Sequence, residues 1–347
     1  MNEITSNWPE FLQQQALPTL PTAGVANASF FAPLPDLGLI ALAGEDAASF
    51  LHTQLTNDVQ NLNAAQARLA GYCSPKGRLL ATFLMWKSGD SILLQLPRNM
   101  QAAIQKRLQM FVMRAKAKLA DVSDAQIALG LAGDAAGAAL ASWFPVLPDA
   151  PYAKIDNEYG SLIRLADANA APRYQWITNP ETAIAAWPSL SGSLQALDAQ
   201  AWRLSEIQAG IPQVTLATQE QFVPQMINFE VIGGVNFKKG CYPGQEIVAR
   251  SQYLGKLKRR AALATVEAIG VAAATEVFSS NDPEQPCGMI VNAEANSAHG
   301  SSCLLEIKLA VLESGGTIHL GSVNGAQLHI QTLPYSIIDV TDSELSA

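Results

Sequence analysis

Thirteen residues, Lys238-Lys239-Gly240-Cys241-Tyr242-Pro243-Gly244-Gln245-Glu246-Ile247-Val248-Ala249-Arg250, constrain this 347-residue chain more than any other segment. Gly240 and Gly244 admit backbone angles that other residues resist. Pro243, between them, fixes one torsion and removes an amide donor. The segment predicts a tight turn that presents Cys241, with a helix or strand beginning near Gln245. Two lysines precede the thiol. A free thiol titrates near ~8.5, and neighbouring cations lower that value. Two readings stand side by side. One is a thiol activated for chemistry; the other is a buried cysteine in a Gly-Pro loop, the common fate of a free cysteine.

The chain exceeds the usual size of a single hydrophobic core, so two or three domains are expected. Its composition, 49% hydrophobic and 15% charged, excludes a disordered chain, which cannot bury enough apolar surface. The first residues lack the basic start and apolar run of a secretory signal. No stretch reaches the roughly 20 uninterrupted apolar residues of a membrane helix. The expectation is a cytoplasmic protein with no membrane partner. Cys73, Cys241, Cys287 and Cys303 are widely spaced, so the pattern is neither a disulfide framework nor a metal site. Basic residues concentrate at 106–118 and 238–260, within a net charge of −8. Such patches attract an anion locally; the plain alternative is a solvated face.

Along the chain, residues 1–27 read as a lead-in with one helix at 9–16. Strand and turn follow at 34–43, then a helix at 47–55 capped by Asp46. Strands at 68–74 and 79–86 are joined by the turn Pro75-Lys76-Gly77, with another strand at 92–96. Asn99 is expected to cap a helix at 100–112. Residues 113–122 alternate as a strand, which puts Arg114, Lys116 and Lys118 on one face. Strand, helix and strand recur over 126–178, with alanine-rich helices near 134–143 and 180–187. A further helix at 198–209 ends at Gly210 and Pro212. After Arg260 the chain becomes short apolar strands between Gly, Asn, Ser and Pro clusters, which suggests a small barrel or sandwich. Gly255 is a candidate hinge, and no internal repeat is visible. Periodicity thus supports an α+β body with an all-β C-terminal module.

The motif KGCYPGQEIVAR closely resembles the signature of the YgfZ family of folate-binding proteins, a branch of the superfamily of the glycine cleavage T-protein (aminomethyltransferase). The similarity extends to Gly210-Ile211-Pro212, to residues 222–228 and to Gly233-Gly234-Val235-Asn236-Phe237. It continues, more weakly, in residues 50–59 and in Ser74-Pro75-Lys76-Gly77-Arg78. The resemblance implies a three-domain ring around a central hole. Two interlaced α+β folate-binding domains would span 28–254, approximately 28–122 and 123–254, and a C-terminal β-barrel 255–340. It implies tetrahydrofolate or a derivative in the hole and Cys241 facing it as a redox or transfer thiol, with Lys239 beside it. Gln208, Asn228, Tyr242, Gly244, Gln245, Glu246 and Arg250 would bind the cofactor. It also implies a role in iron-sulfur cluster assembly or repair and in tRNA modification. The partners would be iron-sulfur proteins or their assembly factors, and a tRNA or a tRNA-modifying enzyme.

Two departures bear on catalysis. T-proteins carry an aspartate in a pattern like G-x-x-D-D, where this chain reads Gly77-Arg78-Leu79-Leu80-Ala81. Leucine and alanine cannot act as acid, base or electrostatic anchor. The E-A-G element that grips the pterin in T-proteins is here Gln208-Ala209-Gly210. A carboxylate accepts two hydrogen bonds, whereas an amide offers one acceptor and a donor. Glu206 could substitute only on a rotated helix. Whether the chain is an enzyme stays open, the alternative being a tetrahydrofolate-dependent aminomethyltransferase or demethylase on an unidentified substrate. Tyr72, Trp86 and Tyr242 could stack on a pterin or belong to the core. The four histidines are scattered and read as structural or surface-facing.

Overall fold

The computed structural model describes residues 7–19, 29–253 and 257–337. The candidate hinge Gly255 lies outside the described residues. The chain builds two sheets and a closed barrel. The first sheet orders its strands as Ala67–Cys73, Leu79–Ser88, Ser91–Pro97, Leu37–Ala43 and Lys118–Asp121. The second runs Gln195–Ala196, Phe30–Pro33, Ile127–Ala132, Ala171–Thr178, Gly160–Ala168 and Lys154–Asn157. Phe30–Pro33 precedes every strand of the first sheet yet pairs antiparallel with Ile127–Ala132 in the second. The two α+β units are therefore interlaced, as the resemblance implies.

The two units repeat one topology. In each, a strand and a helix lead into a three-stranded meander, a second helix and a short strand. The meanders are Ala67–Cys73, Leu79–Ser88, Ser91–Pro97 and Lys154–Asn157, Gly160–Ala168, Ala171–Thr178. This repeat leaves no mark readable in the sequence, because strand order follows from which apolar faces meet and not from residue identity.

The C-terminal strands close a six-stranded barrel, Arg259–Val266, Ser301–Lys308, Asp282–Ala295, Glu276–Ser279, Ile318–Leu320 and Gln327–Gln331. Closure removes the exposed edges that short strands would otherwise leave. Alternation gives the barrel its own core, including Val277, Ile290, Leu305 and Ile307, all fully buried.

Most helices fall where periodicity puts them, but their ends differ. Asn7 caps the first helix, Trp8–Gln14, which starts one residue before and ends two residues before the expected 9–16. The helix expected at 100–112 is Arg98–Val112, with Pro97 at the cap position in place of Asn99; its first amide, the Arg98 N–H, is satisfied by donating to the Asp36 carbonyl at 2.8 Å. Asp46 stands at its cap position, yet its carboxylate accepts the Lys116 N–H at 2.7 Å instead of a helix amide. Residues 113–117 are not strand. Met113 stops the helix with φ +46°, and pairing begins only at Lys118. Arg114, Lys116 and Lys118 therefore share no strand face, and Lys116 pairs with Glu45 at 2.7 Å.

Candidate functional site

The cysteine turn is built by close packing against two earlier segments. Gly244 has φ +79°, and a Cβ there would lie 2.4 Å from the Ser74 carbonyl oxygen and 2.6 Å from Gly77 Cα. Gly77 has φ +70° and faces Ile247 in return. The Ser-Pro-Lys-Gly-Arg turn and the cysteine motif are thus two halves of one contact. The helix Gln245–Tyr253 starts directly from it. Upstream, Thr56 and Asn57 pin the lead-in to the motif. The Thr56 hydroxyl donates to the Gly234 carbonyl at 2.6 Å, and the Asn57 amide donates to the Gly233 carbonyl at 2.6 Å.

Lys239 is buried, and its ammonium donates to the His52 and Leu55 carbonyls at the end of the helix Ala47–Gln54. It also lies over the Tyr242 ring at 4.9 Å. Burial lowers its pKa to about 8, against the opposing fields of Asp58 and Cys241. His52 Nδ1 lies 3.2 Å from Asp58 Oδ1. Burial and then Lys239 lower the His52 pKa, with Asp58 opposing. Cys241 is exposed, whereas Cys73, Cys287 and Cys303 are buried. Burial pushes Cys73 and Cys303 up to about 12.

A deep concavity lies elsewhere, where both sheets, the helix Ala199–Gln208 and the barrel meet. It measures about 1150 Å³, counted to its open mouth. The first sheet contributes Gln95 and Leu84, the second Arg173 and Gln175, the helix Trp202 and Glu206, and the barrel Asn292. Asp198 caps that helix by accepting the Gln200 N–H at 3.0 Å, and Gly210 ends it at φ +69°. Arg173 is 1% exposed; it pairs with the Glu206 carboxylate, donates to the Ser205 carbonyl at 3.1 Å and lies over the Trp202 ring at 4.6 Å. Tyr152 borders the cavity with φ +66°, an outlier for a bulky residue. Its own amide and carbonyl hold it there, donating to Arg164 O at 2.6 Å and accepting from Ala67 N at 2.8 Å. Burial and then Glu206 raise its pKa. Such strain clusters at ligand sites. Leu69 and Tyr152 also line a shallower cleft with Asp58, Arg68 and Lys238.

The residues of the cysteine motif stay together, apart from this cavity. Cys241 does not line the central cavity, and neither do Lys239, Gln208, Asn228, Tyr242, Gly244, Gln245, Glu246 or Arg250. Glu246 and Arg250 are exposed on the helix Gln245–Tyr253. Asn228, fully buried with φ +56°, spends its amide on Ala261, donating to its carbonyl at 3.0 Å and accepting its N–H at 3.2 Å. Glu206, not Gln208, lines this cavity, because the lining face of that helix carries residues 202, 203, 206 and 207. Tyr72 and Trp86 are core residues at 2% and 0% exposure. The basic windows do not join at the cavity. Arg259 pairs with Glu306 at 2.7 Å, Arg260 pairs with buried Glu230, and Lys256 lies outside the described residues. The cavity residues Gln95, Tyr152, Arg173 and Gln175 carried no motif. The one usable signal was polar Arg173 and Gln175 at two-residue spacing inside an otherwise apolar strand. Among the described residues no cluster of His, Cys, Asp or Glu could hold a metal, and no helix is long and apolar enough to cross a membrane.

No family model matches the chain. A search of solved structures finds the glycine cleavage system aminomethyltransferase T from Bartonella henselae, with a TM-score of 0.74 over 95% of this chain and 97% of that one. At 15% identity this likeness concerns the fold alone. Among curated proteins, the tRNA-modifying protein YgfZ of Sodalis glossinidius is 30% identical over 88% of this chain and 92% of its own length. The tRNA-modifying protein YgfZ of Klebsiella pneumoniae is 33% identical over 65% of this chain and 68% of its own length. Similarity of that depth and reach, on the three-part architecture described above, shows that the chain belongs to the YgfZ family.

Proposed function

We propose that this protein binds tetrahydrofolate or a derivative in its central cavity and serves a YgfZ-type role in tRNA modification, supporting iron-sulfur enzymes through Cys241. The observation that carries the folate reading is the pairing of half-buried Glu206 with buried Arg173 at the wall of the cavity. Apolar walls from Leu84, Phe83 and Trp202 suit a flat heteroaromatic ring. Glu206 offers a carboxylate to ring N–H and amine donors, and Arg173 holds that carboxylate in place. Reduced folate, when bound, supplies one-carbon units at its ring nitrogens. Cys241 is exposed and outside the cavity lining, so its chemistry is directed at a protein partner docking on the motif face. The absence of a carboxylate at Leu79-Leu80-Ala81 weighs against glycine cleavage.

Calorimetric titration of the full chain with tetrahydrofolate tests this reading. Saturable one-site binding is expected, with a rise in melting temperature. At a hundredfold excess over Kd the linkage amounts to about 2.7 kcal/mol. Glu206→Gln should weaken binding roughly tenfold or more, since a charged hydrogen-bond partner is lost. No heat and no thermal shift at millimolar folate would overturn the proposal.

A further inference from the structure

Two amide nitrogens at the cavity wall have no hydrogen-bond partner among the described residues. Gln95 is 6% exposed and Gln175 is 1% exposed, and both line the cavity. Neither amide nitrogen has a hydrogen-bond partner, and no described residue bonds either amide oxygen. Buried polar groups are nearly always paired, and each exception calls for a cause. A single orphan could be a packing accident. Here the two come from equivalent strands of the topological repeat, Ser91–Pro97 and Ala171–Thr178, the third strand of each meander. Gln175 shares its strand face with Arg173, whose guanidinium holds Glu206.

We propose that Gln95 and Gln175 are specificity residues that read the polar edge of a heteroaromatic ring in the cavity. A primary amide carries two donors and an acceptor side by side. It therefore pairs bidentately with a ring edge that sets an acceptor beside a donor, as glutamine does with an adenine edge. A lactam or aminopyrimidine edge has that pattern, and a reduced pterin presents both. This inference rests on the folate reading above and deepens it. Glu206 takes ring donors, while the two glutamines take the remaining edge positions.

The proposal makes stability and affinity move differently. Gln95→Met and Gln175→Met keep the length of the side chain and delete the amide. Because the amides bond no protein group, the ligand-free melting temperature should stay equal to wild type or rise. Tetrahydrofolate affinity should fall roughly tenfold for each substitution. p-Aminobenzoylglutamate, which lacks the ring, should bind wild type and variants alike. Gln95→Asn and Gln175→Asn keep the amide but withdraw it by one methylene. They should fold as wild type and also bind tetrahydrofolate more weakly. If the methionine variants melt well below wild type, or if either set binds tetrahydrofolate as tightly as wild type, the glutamines are not ligand readers. If wild type itself binds no reduced folate, the folate reading fails and this inference falls with it. Tight binding by wild type and by the variants alike would sink the inference and leave the folate reading standing.

Discussion

Glu206 and Gln208 sit two residues apart on one helix, and that spacing decides what a ligand in the cavity meets. Two residues correspond to about 200° of helical rotation, so only one of the pair can face inward. Motif alignment selects Gln208, whereas packing of Trp202 and Ile207 turns Glu206 toward Arg173. The helix was legible in the sequence; which face was inward was not, because both faces of this helix meet protein. Cys241 was more legible, since a cysteine flanked by glycines and lysines reads as presented. Its exposure, against three buried thiols, predicts the order of reaction. Graded iodoacetamide labelling with peptide mass spectrometry should modify Cys241 first. Cys73, Cys287 and Cys303 should react only as the protein unfolds. Earlier labelling of any buried thiol would show that exposure does not set the order. Cys241→Ser should leave the fold and folate binding intact.

At the scale of elements, the cysteine turn is held by one backbone approach and one buried cation. Gly244→Ala sets a Cβ 2.4 Å from the Ser74 carbonyl, at a positive φ. The expected cost is about 3 kcal/mol, read from urea unfolding; a neutral result would mean that the two turns do not pack as described. Lys239 gives a pH signature. Its pKa falls from 10.5 unfolded to about 8 folded. Between those values the unfolded chain binds a proton that the folded chain does not, so this group makes stability rise with pH. Cys73 and Cys303 act oppositely. Their thiols ionise first in the unfolded chain, from 9.0, and only at about 12 in the folded protein. Lys239→Met removes the rising contribution alone. It also leaves the His52 and Leu55 carbonyls without their donor, so the variant should be less stable at neutral pH. The stability of wild type relative to the variant should grow between about pH 8 and 10. A pH-independent difference would count against a buried cation at this position.

For the whole molecule, Asn228 is the joint between the body and the barrel. Its left-handed backbone ends the turn Pro224–Ile227, and its amide completes the hydrogen bonding of Ala261 in the first barrel strand. Asn228→Ala leaves a buried N–H and a buried carbonyl unpaired, at a cost of about 2–4 kcal/mol. Hydrogen exchange should locate the loss in Arg259–Val266, and unchanged protection there would rule out this coupling. The sequence by itself determined the local conformations: the glycine-proline turn with a regular element from Gln245, the helix ended at Gly210 and the short strands of the barrel. Backbone sterics and short-range periodicity set these features, and both act within a few residues. It also determined the family, through a long motif that packs against the Ser74-Pro75-Lys76-Gly77-Arg78 turn. Only the tertiary structure decided which side chains share a cavity. Gln95, Tyr152, Gln175 and Glu206 lie on separate elements, and their common orientation follows from two interlaced sheets and a barrel closing on one another. That closure left the motif cysteine outside the cavity and two glutamine amides inside it, because apolar faces meet according to their shape and the polar groups between them face whatever space remains.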